Sequence, residues 1–531
     1  MVPITSPFPD VEIPDVALYD YLFADLTDAD RARTAVVDSV SGRATTYGAL
    51  VDQVDAVAGA LAARGIGVGD VVALHAPNSP AFVAVFHGIL RAGATVTTVN
   101  SLYTAEEIGR QLADSGARLA VTVSALLPAM AGGAAAAGIE HVVVLDGAEA
   151  HTSLADLLAA GEPAPQVAFD PSSHLAVLPY SSGTTGLAKG VMLTHRNLVA
   201  NVAQTLPVID LTPDDVVAAV LPFFHIYGMT VLLDLSLRAR STLVTFPRFD
   251  LEQFLATLQR ERCTYLFVAP PIALALARHP LVADHDLSAV RTVLSGAAPL
   301  DGALADAVAD RLGCRVVQGY GMTEMSPVSH AVPASRDDIP RGSVGVVVPN
   351  MLCRLVDPET GADIEVPADG MSAAGELWCR GPNVMTGYLG DDEATRATLD
   401  AEGYLHTGDI ATVDASGAFY VVDRLKELIK YHGYQVPPAE LEALLLTHPD
   451  VLDAAVIGVP DEDGQEVPKA FVVRRPGAEP DEAAIMAWVA QRVAPHKKVR
   501  RLELVDAIPK SSSGKILRKD LRAREREHAG A

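Results

Sequence analysis

The sequence predicts an α/β protein. A large N-terminal domain of helix-covered parallel sheets, carrying a small β-barrel subdomain, should precede a small α+β C-terminal domain. Three observations predict it. Strand and helix patterns alternate from residue 50 onward in the order of βαβ units. The local charge density rises abruptly at Asp423. The chain has 531 residues, more than one ordinary domain.

The elements follow in order. Leu50, Val54, Val57 and Leu61 recur at helical spacing, and Gly65-Ile66-Gly67 stops that helix. Val71 to His75 is a short apolar run suited to a buried strand. Pro77-Asn78-Ser79 offers a cap for a helix over Pro80 to Arg91. Gly93 to Val99 returns as a strand, Thr104 to Ser115 as a helix and Leu119 to Val123 as a strand. The Ala/Gly-rich stretch Gly132 to Gly138 reads as helix or connection. Gly375 to Gly381 and Gly387-Tyr388 read as short strands of the barrel. After the apolar strand Phe419 to Val422 the charged run Asp423 to Lys430 marks the boundary between domains 1–422 and 423–531. Strands over 454–459, 470–473 and 502–505 complete the C-terminal domain.

Composition narrows the function. Hydrophobic residues make up 49% and charged residues 20%, the balance of a globular protein with ample core. The formal net charge of −25 argues against a nucleic-acid surface. An anionic substrate would need local positive charge in its cleft. The four cysteines are scattered, which suggests neither a zinc site nor a disulfide framework. Met1 to Thr5 lacks the features of a signal peptide, no apolar run has membrane-spanning length, and His528 to Ala531 is not a peroxisomal address. A cytoplasmic protein is expected, as a monomer or homodimer.

One stretch stands apart: Tyr180-Ser181-Ser182-Gly183-Thr184-Thr185-Gly186-Leu187-Ala188-Lys189-Gly190-Val191. Its glycines allow tight turns, its backbone N–H groups can nest an anion, and its hydroxyls and lysine suit phosphate oxygens. It lies between an apolar run, Leu175 to Leu178, and a helix-like segment from His195, so a strand–loop–helix cradle is expected. Lys189 precedes Gly190, so the usual P-loop spacing does not fit. Alone, the run also reads as a polar surface loop. Other segments are equally double-edged when isolated. Leu221 to Gly228, with His225, could be plain core, Glu324 a surface carboxylate, Asp409 a turn residue, and the basic run Pro509 to Lys519 a solvated tail.

Together, and in this order, these motifs resemble the adenylate-forming superfamily of acyl-CoA synthetases, non-ribosomal peptide adenylation domains and luciferases over essentially the whole chain. The wording around Gly319 to Val328 and Asp423 to Pro438 is most similar to 4-coumarate–CoA ligases and related acyl-CoA ligases. The resemblance implies an ATP-dependent acid–CoA ligase that forms AMP, with ATP and CoA as substrates and Mg²⁺ as cofactor. It assigns catalytic roles to Lys515, Thr184, Glu324 and His225. Nucleotide contacts fall on Ser181, Ser182, Gly183, Thr184, Thr185, Lys189, Ala297, Gln318, Gly319, Tyr320, Thr323, Asp409, Arg424, Lys426, Lys430, Gln435 and Lys515. The acyl pocket falls on His225, Tyr227, Val231, Gly296, Gly321, Met322, Pro327 and Val328. CoA contacts fall on Arg248, His432 and Gly433, the metal on Glu324, and the hinge of a mobile C-terminal domain on Asp423.

Departures bear on the substrate. Plant coumarate ligases carry lysines where this chain has Arg248 and His432, and a pocket serine where it has Val231. Cinnamate-type acids are the first expectation. Medium-chain fatty acids, or loading of a carrier protein in place of CoA, are the alternatives. A catalytically dead nucleotide binder would lack Lys515, Glu324 or Asp409, and all three are present.

Overall fold

A computed structural model describes residues 3–181, 188–431, 434–461, 466–478, 481–511 and 514–529. The chain forms two compact units. One comprises Thr5–Leu352 and Arg380–Leu405; the other holds Cys353–Cys379 and His406–Ala531, together with the first four residues.

The larger unit is built on two sheets. The eight-stranded sheet runs in the order Gly387–Tyr388, Lys189–Thr194, Leu175–Val177, Thr95–Thr98, Val71–His75, Ala117–Thr122, Val142–Val144, with Tyr180–Ser181 paired to Lys189–Thr194. Val71–His75 pairs in parallel with both neighbours, Val71 opposite Thr95 and Leu74 opposite Val121, which explains its continuous apolar run. The expected cap forms. Ser79 accepts from Phe82 N ahead of the helix Pro80–Arg91, with Pro80 in the first turn. Thr104 and Glu107 make a capping box for Ala105–Ser115, which ends at Gly116 with φ 66°. The Ala/Gly-rich stretch belongs in part to a helix, Leu127–Ala136.

The nine-stranded sheet runs in the order Val346–Val347, Val328–Ala331, Arg315–Gly321, Thr292–Ser295, Tyr265–Val268, Val216–Ala219, Thr242–Thr245, Thr34–Asp38, Ala44–Thr46. Its middle is parallel, with Val268 opposite Ser295 and Ser295 opposite Gln318. Its margins turn antiparallel. Helical segments such as Tyr227–Asp234, which has π-helical character, pack against these strands.

In the smaller unit, a five-stranded sheet has the linear order Ile4–Thr5, Leu352–Val356, Gly375–Arg380, Leu405–Val413, Phe419–Arg424. It occupies the place of the expected barrel. Gly387–Tyr388 does not join it; that strand adds to the eight-stranded sheet instead. The C-terminal part folds as Val451–Pro460, Glu466–Arg474 and Arg501–Leu504 in one sheet, covered by helices over a core of Ile429, Leu441, Val456, Val472 and Ile485. The strand ending at Val422 in the sequence reading continues to Arg424, because Asp423 pairs with Ile410.

One buried polar pair ties the helix Pro80–Arg91 to the segment Tyr227–Asp234. His87 and Asp234 are both 0% exposed, with Nε2 3.1 Å from Oδ1. The other ring nitrogen lies 2.8 Å from the Val83 carbonyl and so carries a hydrogen. A second proton must therefore sit between Nε2 and the carboxyl, whose affinity for protons burial raises and His87 lowers. Replacing His87 by Leu leaves that carboxyl without its partner. The expected cost is about 3–5 kcal/mol, read as a lower urea midpoint. An unchanged midpoint would show that the pair contributes no net stability.

Candidate active site

Ligands of open α/β sheets bind beyond the carboxyl ends of the parallel strands. The assigned residues of the larger unit gather there. Phe246 to Arg248 follow Thr242–Thr245, Gly296-Ala297 follow Thr292–Ser295, and Gln318 to Tyr320 complete Arg315–Gly321. Ala297 holds φ 70°, a left-handed conformation uncommon for a residue with a Cβ, and this turns the backbone sharply after Gly296. Gln318 holds the following loop: its Oε1 accepts from Leu300 N at 2.8 Å, and its Nε2 donates to Leu300 O at 2.9 Å and Arg341 O at 2.6 Å. Its amide is thus committed to backbone and positions the loop. The Tyr320 ring packs edge-on to His330, centroids 5.8 Å apart, and Arg248 is exposed.

The phosphate loop differs from the expected strand–loop–helix. Tyr180–Ser181 pairs antiparallel with Lys189-Gly190, and the strand runs on to Thr194 before the helix His195–Ile209 begins. The alternation through Val191, Met192 and Leu193 explains the extra strand: Val191 and Leu193 are buried and Met192 is half-buried. Ser182, Gly183, Thr184 and Thr185 lie outside the described residues. The two residues flanking them are both engaged. Ser181 Oγ donates to Glu324 Oε1 at 3.0 Å, and Lys189 Nζ lies 3.6 Å from Asp391 Oδ2. Glu324, in the short helix Thr323–Met325, is only 6% exposed and accepts a second bond from the Tyr388 hydroxyl at 3.0 Å.

The residues assigned to the acyl pocket meet across two glycines. A Cβ on Gly296 would lie 2.9 Å from Tyr227 Cε1, so the tyrosine ring rests directly against that backbone. A Cβ on Gly321 would lie 2.1 Å from the Pro327 carbonyl oxygen, so only glycine fits. Met322 N donates to that same carbonyl, and Val328 N to Asn201 Oδ1 at 3.0 Å. Tyr227 and Val231 sit four residues apart on the segment Tyr227–Asp234, both buried. Tyr227 N donates to His225 Nδ1 at 3.3 Å.

The smaller unit assembles its own charged group. Asp409 and Arg424 face each other across two antiparallel strands, with Nε 3.1 Å from Oδ1. Lys515 lies within their field. Burial and the Arg424 guanidinium hold its ammonium pKa down at about 8, against the opposing pull of Asp409. Asp423 is also buried, and its carboxylate accepts from Arg424 N at 2.7 Å and Ala439 N at 2.8 Å. Lys426, Lys430 and Gln435 are exposed, the last two opposite each other in a hairpin. His432 and Gly433 lie outside the described residues.

The description of the AMP-binding enzyme family matches residues 24–389, and that of its C-terminal domain matches residues 440–515. The chain belongs to the AMP-binding enzyme family. It is 43% identical to 4-coumarate–CoA ligase 5 of Oryza sativa subsp. japonica, covering 98% of this chain and 96% of that one. It is 42% identical to 4-coumarate–CoA ligase 1 of Petroselinum crispum over the same shares. Among solved structures, the anthranilate CoA ligase AuaEII with anthranoyl-AMP superposes with TM-score 0.89, at 29% identity over 97% of this chain and 98% of that one. ATP-bound MatB of Rhodopseudomonas palustris gives 0.87, at 31% identity over 96% and 99%.

Within this AMP-binding enzyme, the sequence reading gave Gly387-Tyr388 a strand but no site role, and passed over Asp391. Their signal is weak, since a Gly-Tyr pair and an aspartate before a helix are common; only the pairing of Gly387–Tyr388 with Lys189–Thr194 shows where they lie.

The charge on Lys515 gives a pH dependence. A lysine with a depressed pKa loses its ammonium as pH rises through about 8. If the ammonium serves adenylation, kcat/KM of the adenylation half-reaction should fall above that pH. The kcat limb should lie higher, because bound anions favour the charged form. A flat kcat/KM profile to pH 9.5 would remove Lys515 from that role.

Proposed function

We propose that the acid activated by this enzyme is an uncharged-ring aromatic carboxylate of the cinnamate type, carried through an acyl-adenylate to CoA. The chain is an AMP-forming acid–CoA ligase. The observation that favours an aromatic acid is the seating of the Tyr227 ring on the bare backbone of Gly296. Such a wall suits a flat, apolar group. The whole-length likeness to enzymes named for 4-coumarate supports the same reading. An ATP–pyrophosphate exchange screen over aromatic and aliphatic acids tests it, and preference for a medium-chain fatty acid would reverse it.

The chemistry explains the parts. A carboxylate is an anion without a leaving group, and its attack on the α-phosphate brings two anions together. Fixed positive charge lowers that barrier most. Ser181 and Lys189, with the loop between them, are assigned to the β- and γ-phosphates. Thr323 is assigned to the α-phosphate, Tyr320 to the adenine face and Asp409 to the ribose hydroxyls. Lys515 is assigned to the carboxylate and α-phosphate as they meet.

Glu324 fits a Mg²⁺ ligand. No group of three or more His, Cys, Asp or Glu side chains that could hold a metal occurs among the described residues. One buried carboxylate plus substrate phosphates is how Mg²⁺ is usually held. When bound, the ion would neutralise phosphate charge. Thiolysis of the adenylate needs CoA, with Arg248, His432 and Gly433 as its contacts and Asp423 as the pivot between half-reactions.

Two variants separate these roles. Lys515→Ala should slow acyl-AMP formation by about 10²–10³-fold, the loss typical of one transition-state donor. Thioester formation from supplied acyl-AMP should be spared; equal losses in both half-reactions would refute the division of labour. Val231→Ser should raise the coumarate-to-cinnamate ratio of kcat/KM, by up to about 100-fold for a hydroxyl against an apolar pocket. An unchanged ratio would place Val231 outside the pocket.

A further inference from the structure

Glu324 has a partner that no assigned role accounts for. Its Oε1 accepts from two hydroxyls, Ser181 Oγ and Tyr388 Oη, each at 3.0 Å. Two donors occupy both lone pairs of that oxygen and leave Oε2 for a cation. Tyr388 is anchored from several sides. Its strand pairs with Lys189–Thr194, placing it opposite Val191. Its N–H donates to Thr395 Oγ1 at 2.9 Å, and Thr395 Oγ1 donates back to Asp391 O. A Cβ on the preceding Gly387 would lie 2.8 Å from Thr395, so strand and helix are in close contact. Glu324 is tied to the same segment through its backbone, since Met385 N donates to its carbonyl at 2.9 Å. The other face of the tyrosine ring lies under Lys189, with Nζ 5.0 Å from the centroid.

We propose that Tyr388 is a positioning residue for the metal–nucleotide site: its hydroxyl fixes the Glu324 carboxylate in the orientation that offers Oε2 to the cation, while its ring packs against the Lys189 ammonium. The proposal rests on Glu324 as the metal-binding carboxylate. Carboxylate ligands are themselves oriented by hydrogen bonds, and loss of such a partner typically costs about 10–100-fold in metal affinity. Asp391 makes no bond to Glu324 and reaches the site through Lys189. Its Oδ2 pairs with the ammonium and its Oδ1 caps the helix Asp392–Thr398.

Tyr388→Phe deletes one oxygen and retains the ring. The probe is Mn²⁺, titrated by electron paramagnetic resonance against the full-length protein with a non-hydrolysable ATP analogue. Tyr388→Phe should weaken Mn²⁺ binding about 10-fold or more, at an unchanged melting temperature. Its thioester formation from supplied acyl-AMP, which carries no pyrophosphate, should match the wild type. Asp391→Asn, which leaves the Glu324 bonds intact, should bind Mn²⁺ as the wild type does. Glu324→Gln tests the underlying reading. If it binds Mn²⁺ normally, Glu324 is not the ligand, and the proposal falls with it. If Glu324→Gln loses Mn²⁺ but Tyr388→Phe does not, the metal reading stands and the positioning role is overturned. Equal losses in Tyr388→Phe and Asp391→Asn would also overturn it, since the effect would then belong to the loop as a whole.

Discussion

A buried carboxylate held by two hydroxyls fixes the working end of the larger unit. Glu324 sits at 6% exposure, and its Oε1 joins three pieces of chain that are distant in sequence: Ser181 at the mouth of the phosphate loop, the turn after the strand Arg315–Gly321, and Tyr388. A carboxyl at that burial needs hydrogen-bond partners. The backbone contributes as well, through Met385 N to the Glu324 carbonyl, and Asn383 donates to Met325 O and Val328 O. Both sheets of the larger unit thus feed residues into this knot.

The glycines set a second constraint by what they exclude. At 296 and 321 the absent Cβ is space already taken, by a tyrosine ring in one case and a carbonyl oxygen in the other. Residue type at these two positions therefore speaks to packing geometry rather than to polarity.

The smaller unit solves a different electrostatic problem. Lys515 is partly desolvated and stands near Arg424, both of which disfavour its charge, while Asp409 supports it. Such balance makes the ammonium sensitive to whatever anion arrives. Asp423, proposed as the pivot, is no loose joint: it lies in a strand, and its carboxylate accepts from Ala439 N in the first turn of the helix Pro438–Leu446. Motion there would exchange defined hydrogen bonds.

Local chemistry was legible in the sequence where a short stretch carries its own reason. The cap before the helix Pro80–Arg91, the parallel strand Val71–His75 and the C-terminal strands followed from side-chain pattern alone. The wording of the motifs likewise sufficed to identify the AMP-binding family and its candidate residues. What the sequence could not reveal depends on pairing between distant segments. The hairpin of Tyr180–Ser181 with Lys189–Thr194, the transfer of Gly387–Tyr388 to the eight-stranded sheet, the extension of a strand through Asp423 and the linear order of the five-stranded sheet are all decided by which edge a strand finds. Strand pairing satisfies backbone groups whatever the side chains are, so two-residue strands leave almost no trace in sequence. The bond between Tyr388 and Glu324 spans 64 residues and exists only because tertiary structure lays one such strand beside another.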